Sequence, residues 1–275
     1  MDTNNFDCIV LGAGIQGSYT AYHLAKNKKK TLLVEQFVLP HSRGSSHGHT
    51  RIIRKAYEQD YYTRMMSECY QLWAQLEKEA NVQIYRNTGM LVVGKEDCSA
   101  FRSLRGTLLR NNVPMEVLSP EQFASRFPSV RLPPGESAVI DKTAGVLHAD
   151  RALKAVQICY HSGSETEPDE RDRQTSQEDI AILSSFVSKS FPGLDPTPAV
   201  VEQCMYTVTP DSDFILDQHP SHSNIIIGAG FSGHGFKLAP VVGKILCELA
   251  LGKTPSFDLS PFRIMRFQSL LKSAL

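Results

Sequence analysis

The chain has 275 residues, 41% of them hydrophobic and 21% charged, which is enough apolar material for one large domain or two modest ones and excludes a disordered tail. Basic and acidic residues balance at 29 each, so no net field draws nucleic acid to it. No apolar run reaches the roughly 20 residues a membrane helix needs, and the polar start from Met1 to Phe6 lacks a signal-peptide pattern. The six cysteines, at 8, 69, 98, 159, 204 and 247, contain no C-x-x-C pair. A reducing compartment is therefore expected rather than a zinc cage or a disulfide framework, and no metal site is expected.

Residues 7–11 read as a short buried strand, and Gly12-Ala13-Gly14-Ile15-Gln16-Gly17 follows at once. Apolar residues at helical spacing (Tyr19, Tyr22, Leu24, Ala25) predict a helix over 18–26. A polar turn leads to a second strand at 31–34, with Glu35 and Gln36 at its end. This is the βαβ context in which G-x-G-x-x-G signals a dinucleotide site. Gly12 allows the tight turn, Gly14 lets backbone approach a pyrophosphate, and Gly17 lets the helix pack closely. The helix N-terminus offers free N–H groups to phosphate, and Glu35 can accept bonds from both ribose hydroxyls. A glycine turn in an ordinary α/β protein would leave Glu35 without a purpose.

Further along, the helical spacing of Tyr61, Met65, Cys69, Leu72, Trp73, Leu76 and Ala80 predicts a core-facing helix over 61–80. Strand pieces are expected at 83–94, 115–118 and 138–147. Residues 162–179 contain no aliphatic or aromatic side chain and read as an 18-residue polar loop. A strand at 224–227 then runs into Gly228-Ala229-Gly230-Phe231-Ser232-Gly233-His234-Gly235-Phe236-Lys237 and a helix to about Leu251. No acid-tipped strand follows this second glycine turn. It reads as a second helix N-terminus aimed at the first cofactor, where its dipole would suit an anionic reduced flavin better than a nicotinamide.

The opening βαβ unit, the segment 43–54 (Arg43, Gly44, Ser45, Ser46, His47, Gly48, His49, Thr50, Arg51, Ile52, Ile53, Arg54), the triplet Cys204-Met205-Tyr206 and the second glycine turn together resemble the monomeric sarcosine oxidase family, and within it the peroxisomal members of animals. The resemblance spans about 1–156 and 158–275. A family block on the order of a hundred residues is missing at the join, Gln157 to Ile158. The implied fold class is α/β: a Rossmann-like FAD-binding domain of the D-amino-acid-oxidase type, with an incomplete mixed-sheet substrate domain. The expected division is 1–80 and 201–275 for FAD binding, 81–157 for the substrate-domain remnant, and 158–200 for the polar loop and return segment.

The same resemblance implies FAD bound covalently through Cys204. Its cofactor contacts would come from Gly12, Ala13, Gly14, Ile15, Gln16, Gly17, Glu35, Gln36, Arg43, Ser45, Ser46, His47, Arg51, Met205, Gly230, Gly233, Gly235 and Lys237. Arg54 and Lys237 match the positions that grip a substrate carboxylate, a role guanidinium and ammonium groups suit. Tyr206, His161 and, more weakly, Tyr57 match residues beside the substrate amine, while His47 and Arg51 match residues that assist flavin attachment. The implied reaction is oxidation of a secondary-amine amino acid (sarcosine or L-pipecolate): hydride passes to flavin N5, the imine hydrolyses, and O2 becomes H2O2. Gln157 stands where the family has a lysine that promotes the oxygen step. The expected partners are a small amino acid and O2, with no nucleic acid or membrane, and the chain is expected to be a monomer. Ser273-Ala274-Leu275 is similar to the peroxisomal address read by an import receptor but lacks its central basic residue, so the peroxisome is expected, with the cytoplasm as fallback. Two alternatives stay open: a flavin binder without turnover, and a nicotinamide-dependent dehydrogenase.

Overall fold

The computed structural model describes residues 5–39, 41–148, 165–170, 177–198, 201 and 205–267. The chain divides into two compact units. One holds residues 1–51, 65–84 and 206–275, and the other holds 52–64 and 85–205.

The first unit opens with β1 (Cys8–Leu11), α1 (Ile15–Lys26) and β2 (Thr31–Val34). β1 and β2 pair in parallel, with Cys8 opposite Thr31 and Leu11 opposite Val34, as a βαβ crossover requires. α1 starts three residues before the predicted point, because Gly14 is its N-cap and the glycine turn feeds straight into the first helical turn. The C-terminal end of the chain adds the antiparallel pair β9 (Ile215–Gln218) and β10 (Ile226–Ala229), a 3-10 turn at Phe236–Leu238, and α6 (Ala239–Ala250). α6 is the most apolar helix of this unit. Its Val241, Val242, Ile245 and Leu246 are buried, and Gly252 closes it in the left-handed region at φ +64°.

α1 and α6 lie against each other. A Cβ at Gly243 of α6 would sit 2.6 Å from the carbonyl carbon of Tyr19, so only glycine permits this approach. α2 (Asp60–Ala80) starts in the second unit and continues in the first. Its Met65, Met66, Cys69 and Trp73 are buried, whereas Ala80, placed on the same stripe by spacing, is exposed at the helix end. Lys244 of α6 pairs with Glu68 of α2 at 2.6 Å.

The expectation that β1 is buried is overturned. Ile9 is 62% exposed and Leu11 is 81% exposed, while Val38, beyond β2, is 90% exposed. Cys8 and Val10 take the alternate, half-buried positions. Strand periodicity turns Ile9 and Leu11 to the opposite face, and among the described residues no third strand or helix covers that face.

The second unit is better filled. It carries β4 (Tyr85–Asn87), β5 (Met90–Lys95), α3 (Ser99–Arg110), β6 (Met115–Leu118), α4 (Pro120–Arg126), β7 (Glu136–Asp141), β8 (Gly145–His148) and α5 (Gln177–Ser190). β7 lies between β5 and β6, and β8 lies between β4 and β3 (Thr50–Ile53), the strand in which the chain passes from one unit to the other. Val139 of β7 packs with Phe101 and Leu108 of α3, and its neighbours Ala138 and Ile140 pack on the other face with Phe123 of α4. α5 begins at Gln177, inside the expected polar loop, with Glu178 and Asp179 in its first turn where they complement the helix dipole.

The contrast between the two sheets gives a stability prediction. Leu11→Ser should change the unfolding free energy by less than about 0.5 kcal/mol and reduce dye binding to exposed apolar surface. Leu24→Ala, in the buried face of α1, should cost about 2–5 kcal/mol. Urea denaturation of both variants checks this.

Candidate functional site

The two glycine turns meet inside the first unit. The Gln16 side-chain amide donates to the carbonyl of Gly235 at 2.9 Å, joining positions 219 residues apart. The His23 ring at Nε2 lies 3.0 Å from the carbonyl of Pro240, the second residue of α6. Burial lowers the His23 pKa, so the ring is neutral and must carry its proton on Nε2 to donate to that carbonyl. The indole N–H of Trp73 donates to the Lys237 carbonyl at 3.1 Å, and its ring stacks on Phe236 at 6.1 Å and meets Tyr19 edge-on at 5.1 Å.

At the first turn, Gly12 has φ +96°, and its amide donates to Val34 of β2 at 2.7 Å. A Cβ at Gly17 would run into the Gly12 carbonyl oxygen, so the turn closes only with glycine there. The expectation that this helix end presents wholly free N–H groups needs correction. The Ala13 amide donates to Glu35 at 2.8 Å and the Ile15 amide to the Ser46 hydroxyl at 2.9 Å, because both acceptors are held beside the turn. Among the described residues no acceptor takes the amides of Gly14, Gln16 or Gly17. α1 has neither a side-chain cap nor an acid in its first turn, and a Cβ on Gly12 would meet nothing within 4 Å. The open glycine edge, the available amides and the acid at the end of β2 fit the pyrophosphate and ribose of a dinucleotide.

The loop 43–51 covers this turn. Ser46 reaches it directly, and His47 Nδ1 lies 2.6 Å from the Gly44 carbonyl. Arg51 ties the loop together, donating to the carbonyls of Thr50 and Ser45 at 2.7 Å each and to that of His47. Its guanidinium lies over the Phe236 ring at 5.3 Å, against the second glycine turn. Lys237 is buried, and its ammonium is 3.5 Å from the His234 carbonyl. Gly230, in the left-handed region, and Gly235 are buried within the second turn, and Gly233 precedes the 3-10 turn that leads into α6.

Gln36 and Arg43 are exposed, and Arg43 stands 5.9 Å over the Phe37 ring. His41 Nε2, which carries no sequence signal, lies 3.4 Å from Glu35. Tyr206 is half-buried at the start of the C-terminal part of this unit. Arg54, in the second unit, lies 4.2 Å over the Tyr57 ring. Cys204, His161, Gln157 and the tripeptide Ser273-Ala274-Leu275 lie outside the described residues, and Met205 is half-buried. Trp73 and Gly243 were legible only as core helix, although a glycine inside the apolar helix α6 does mark a close approach.

A unit that brings both ends of a chain to one dinucleotide turn, with an acid at β2 and cations nearby, has the architecture of a flavin-dependent oxidoreductase. The chain belongs to the FAD dependent oxidoreductase family, which it matches over residues 7–159 and 157–249. It is 42% identical to the peroxisomal sarcosine oxidase of Homo sapiens and 40% identical to that of Mus musculus, over 98% and 99% of both chains, respectively. It is 29% identical to a monomeric sarcosine oxidase of Bacillus sp., over 99% of this chain and all of that one. These relatives place it with the sarcosine oxidases, and the nicotinamide alternative is set aside. The human alignment runs over 383 positions against a chain of 275 residues, so at least 108 positions face no residue here. The two family matches meet at 157–159, which locates the missing block. In fold the chain is similar to NikD, an amino acid oxidase of nikkomycin biosynthesis, with a TM-score of 0.76 at 16% identity over 95% of this chain and 98% of that one. It is also similar to glycine oxidase from Geobacillus kaustophilus, with a TM-score of 0.74 at 13% identity over 96% and 99%.

The acid of the site gives a pH prediction. The Ala13 amide, followed by that of Phe37, holds the Glu35 carboxyl below its ordinary value. Since the folded-state pKa is depressed, the Glu35–Ala13 bond is complete at neutral pH and is lost only as pH falls through that lowered value. The Ala13 amide resonance should therefore stay constant down through the ordinary carboxylate range and move only below it. Glu35→Gln should remove that titration.

Proposed function

We propose that the chain is an FAD-dependent oxidase of secondary-amine amino acids, of the sarcosine and L-pipecolate class. The observation that carries this reading is the Gln16–Gly235 bond, which unites the two glycine turns in one unit, in a chain 42% identical to a sarcosine oxidase. FAD, when bound, supplies the two-electron acceptor and passes the electrons to O2 to give H2O2. The protein supplies position and charge.

Gly12, Ala13, Gly14, Ile15, Gln16 and Gly17 hold the pyrophosphate, and Glu35 with Gln36 holds the ribose side. Arg43, Ser45, Ser46, His47, Arg51, Met205, Gly230, Gly233, Gly235 and Lys237 complete the cofactor contacts. Cys204 is the covalent attachment point, a role in which a neighbouring cation would favour the thiolate. Arg54 and Lys237 take the substrate carboxylate. Tyr206 and His161 flank the amine, which reacts in its neutral form and needs no strongly perturbed base. The division into FAD-binding residues 1–80 and 201–275 around a substrate remnant at 81–157 goes with this reading. A monomer in the peroxisome, delivered through the C-terminal tripeptide, fits the named relatives.

The absent block, at least 108 positions in the human alignment, supports a second reading in which the chain retains FAD but turns over slowly. Gln157 bears on the same point, because an uncharged side chain provides no electrostatic help to superoxide formation.

Acid precipitation tests the covalent attachment common to both readings, and turnover with sarcosine separates them. The wild-type pellet should keep flavin colour, and Cys204→Ser should release it to the supernatant. Gln157→Lys should raise H2O2 release with sarcosine by tenfold or more, as read by a peroxidase-coupled assay. No gain would remove the oxygen argument and leave the cofactor reading intact.

A further inference from the structure

We propose that Asp141 is a positioning residue for Arg54, the guanidinium assigned above to the substrate carboxylate, and the proposal rests on that assignment. Asp141 ends β7 and is fully buried within the second unit. One carboxylate oxygen accepts from the backbone amides of Lys55 and Ala56, at 2.8 and 3.1 Å. The other accepts from the backbone amide and the hydroxyl of Thr143, at 2.9 and 2.6 Å. A carboxylate is tolerated in such a place only when its lone pairs are taken up, and four donors do that here.

The donors are not all local. The Thr143 bonds close the turn between β7 and β8, as many loop aspartates do. The second oxygen instead reaches 85 and 86 residues back, to the two peptide groups that follow Arg54. The Thr63 hydroxyl, in the first turn of α2, donates to the Lys55 carbonyl at 2.8 Å and fixes the other side of the same residue. The Arg54 guanidinium rests 4.2 Å over the Tyr57 ring, which is buried and lies 5.2 Å from that of Tyr62. Backbone and head group of Arg54 are thus held by separate devices, and the backbone device is Asp141. Asparagine could not replace it. Its single carbonyl oxygen can serve either Thr143 or the two amides, and its NH2 would then face donors on the other side.

The consequence concerns recognition of an anion rather than folding alone, because a guanidinium fork discriminates by geometry. The test uses the full chain with its FAD and two ligands of one shape. Methoxyacetate is an oxygen isostere of sarcosine that keeps the carboxylate, and methoxyacetamide is its uncharged counterpart. Titration calorimetry on wild type, Asp141→Asn, Arg54→Gln and the double variant should show the following. Asp141→Asn weakens methoxyacetate tenfold or more and methoxyacetamide less than twofold, with flavin content unchanged. Arg54→Gln lowers the preference for the anion to the part that Lys237 supplies, and adding Asp141→Asn to it changes nothing further, as expected of two residues acting through one contact.

Equal weakening of both ligands, or effects that multiply in the double variant, would overturn the positioning role. Anion preference that is unchanged by Arg54→Gln, or that is absent from wild type, would instead overturn the assignment of Arg54, and the proposal with it. Should Asp141→Asn fail to fold, Thr143→Val removes a single bond to the same carboxylate. It should lower anion preference two- to fivefold, and Thr143→Ser should restore it; no change in Thr143→Val overturns the proposal.

Discussion

The close approach of α1 and α6 is the constraint on which the candidate site depends. One helix follows the first glycine turn and the other follows the second, and the absence of a Cβ at Gly243 lets them touch at Tyr19. The Gln16–Gly235 and His23–Pro240 bonds then fix the register of one turn against the other. Each of these polar contacts is worth only about 1 kcal/mol in isolation. Their effect comes from being made across a packed apolar seam, where Leu24, Val241, Val242 and Ile245 exclude water. Two segments at opposite ends of the sequence thereby act as one rigid floor.

The charge arrangement follows from that floor. Glu35 sits over the first turn as a carboxylate, held in that form by the amides it accepts from. Arg51 spends its donors on carbonyls of its own loop and leaves its guanidinium face against Phe236. A cation fixed in this way keeps its charge without needing a carboxylate partner, so its field remains available to an anionic ligand. Lys237 has its backbone carbonyl taken by Trp73 and its ammonium 3.5 Å from the His234 carbonyl. The acid stands at the first turn, and cations are gathered beside the second.

Local pattern made the βαβ unit readable, because strand, glycine turn, helix and acid all lie within 30 residues and each signal has its own physical cause. The helical stripe from Met65 to Trp73 was readable for the same reason. The helix at 177–190 was hidden by its polar start, since Glu178 and Asp179 read as loop residues until a helix end gives them a dipole to face. Asp141 was invisible because two of its four donors stand 85 and 86 residues away. Trp73 and Phe236 read as core for a related reason: spacing shows which way a side chain faces but not which carbonyl or guanidinium waits there. The resemblance supplied roles for Arg54 and Lys237 that no spacing could supply.

The first unit leaves one face of β1 exposed. In a βαβ unit both faces of the parallel strands are normally covered. Here α1 lies on one face, whereas Ile9 and Leu11 on the other reach solvent. The second unit shows no such asymmetry, for β7 packs with α3 through Val139 and with α4 through Ala138 and Ile140. Among the described residues, the uncovered sheet is therefore the β1–β2 pair and not the β5–β7–β6 sheet. An uncovered apolar strand beside an open sheet edge invites association. The glycine turn does not share that weakness, because its closure depends on Gly12, Gly17 and Val34, and its anchors, Ser46 and Gln16, reach loop 43–51 and the C-terminal turn. Cofactor geometry and sheet stability are in this way separated within one unit, so the cradle can persist on a sheet that has lost its outer cover.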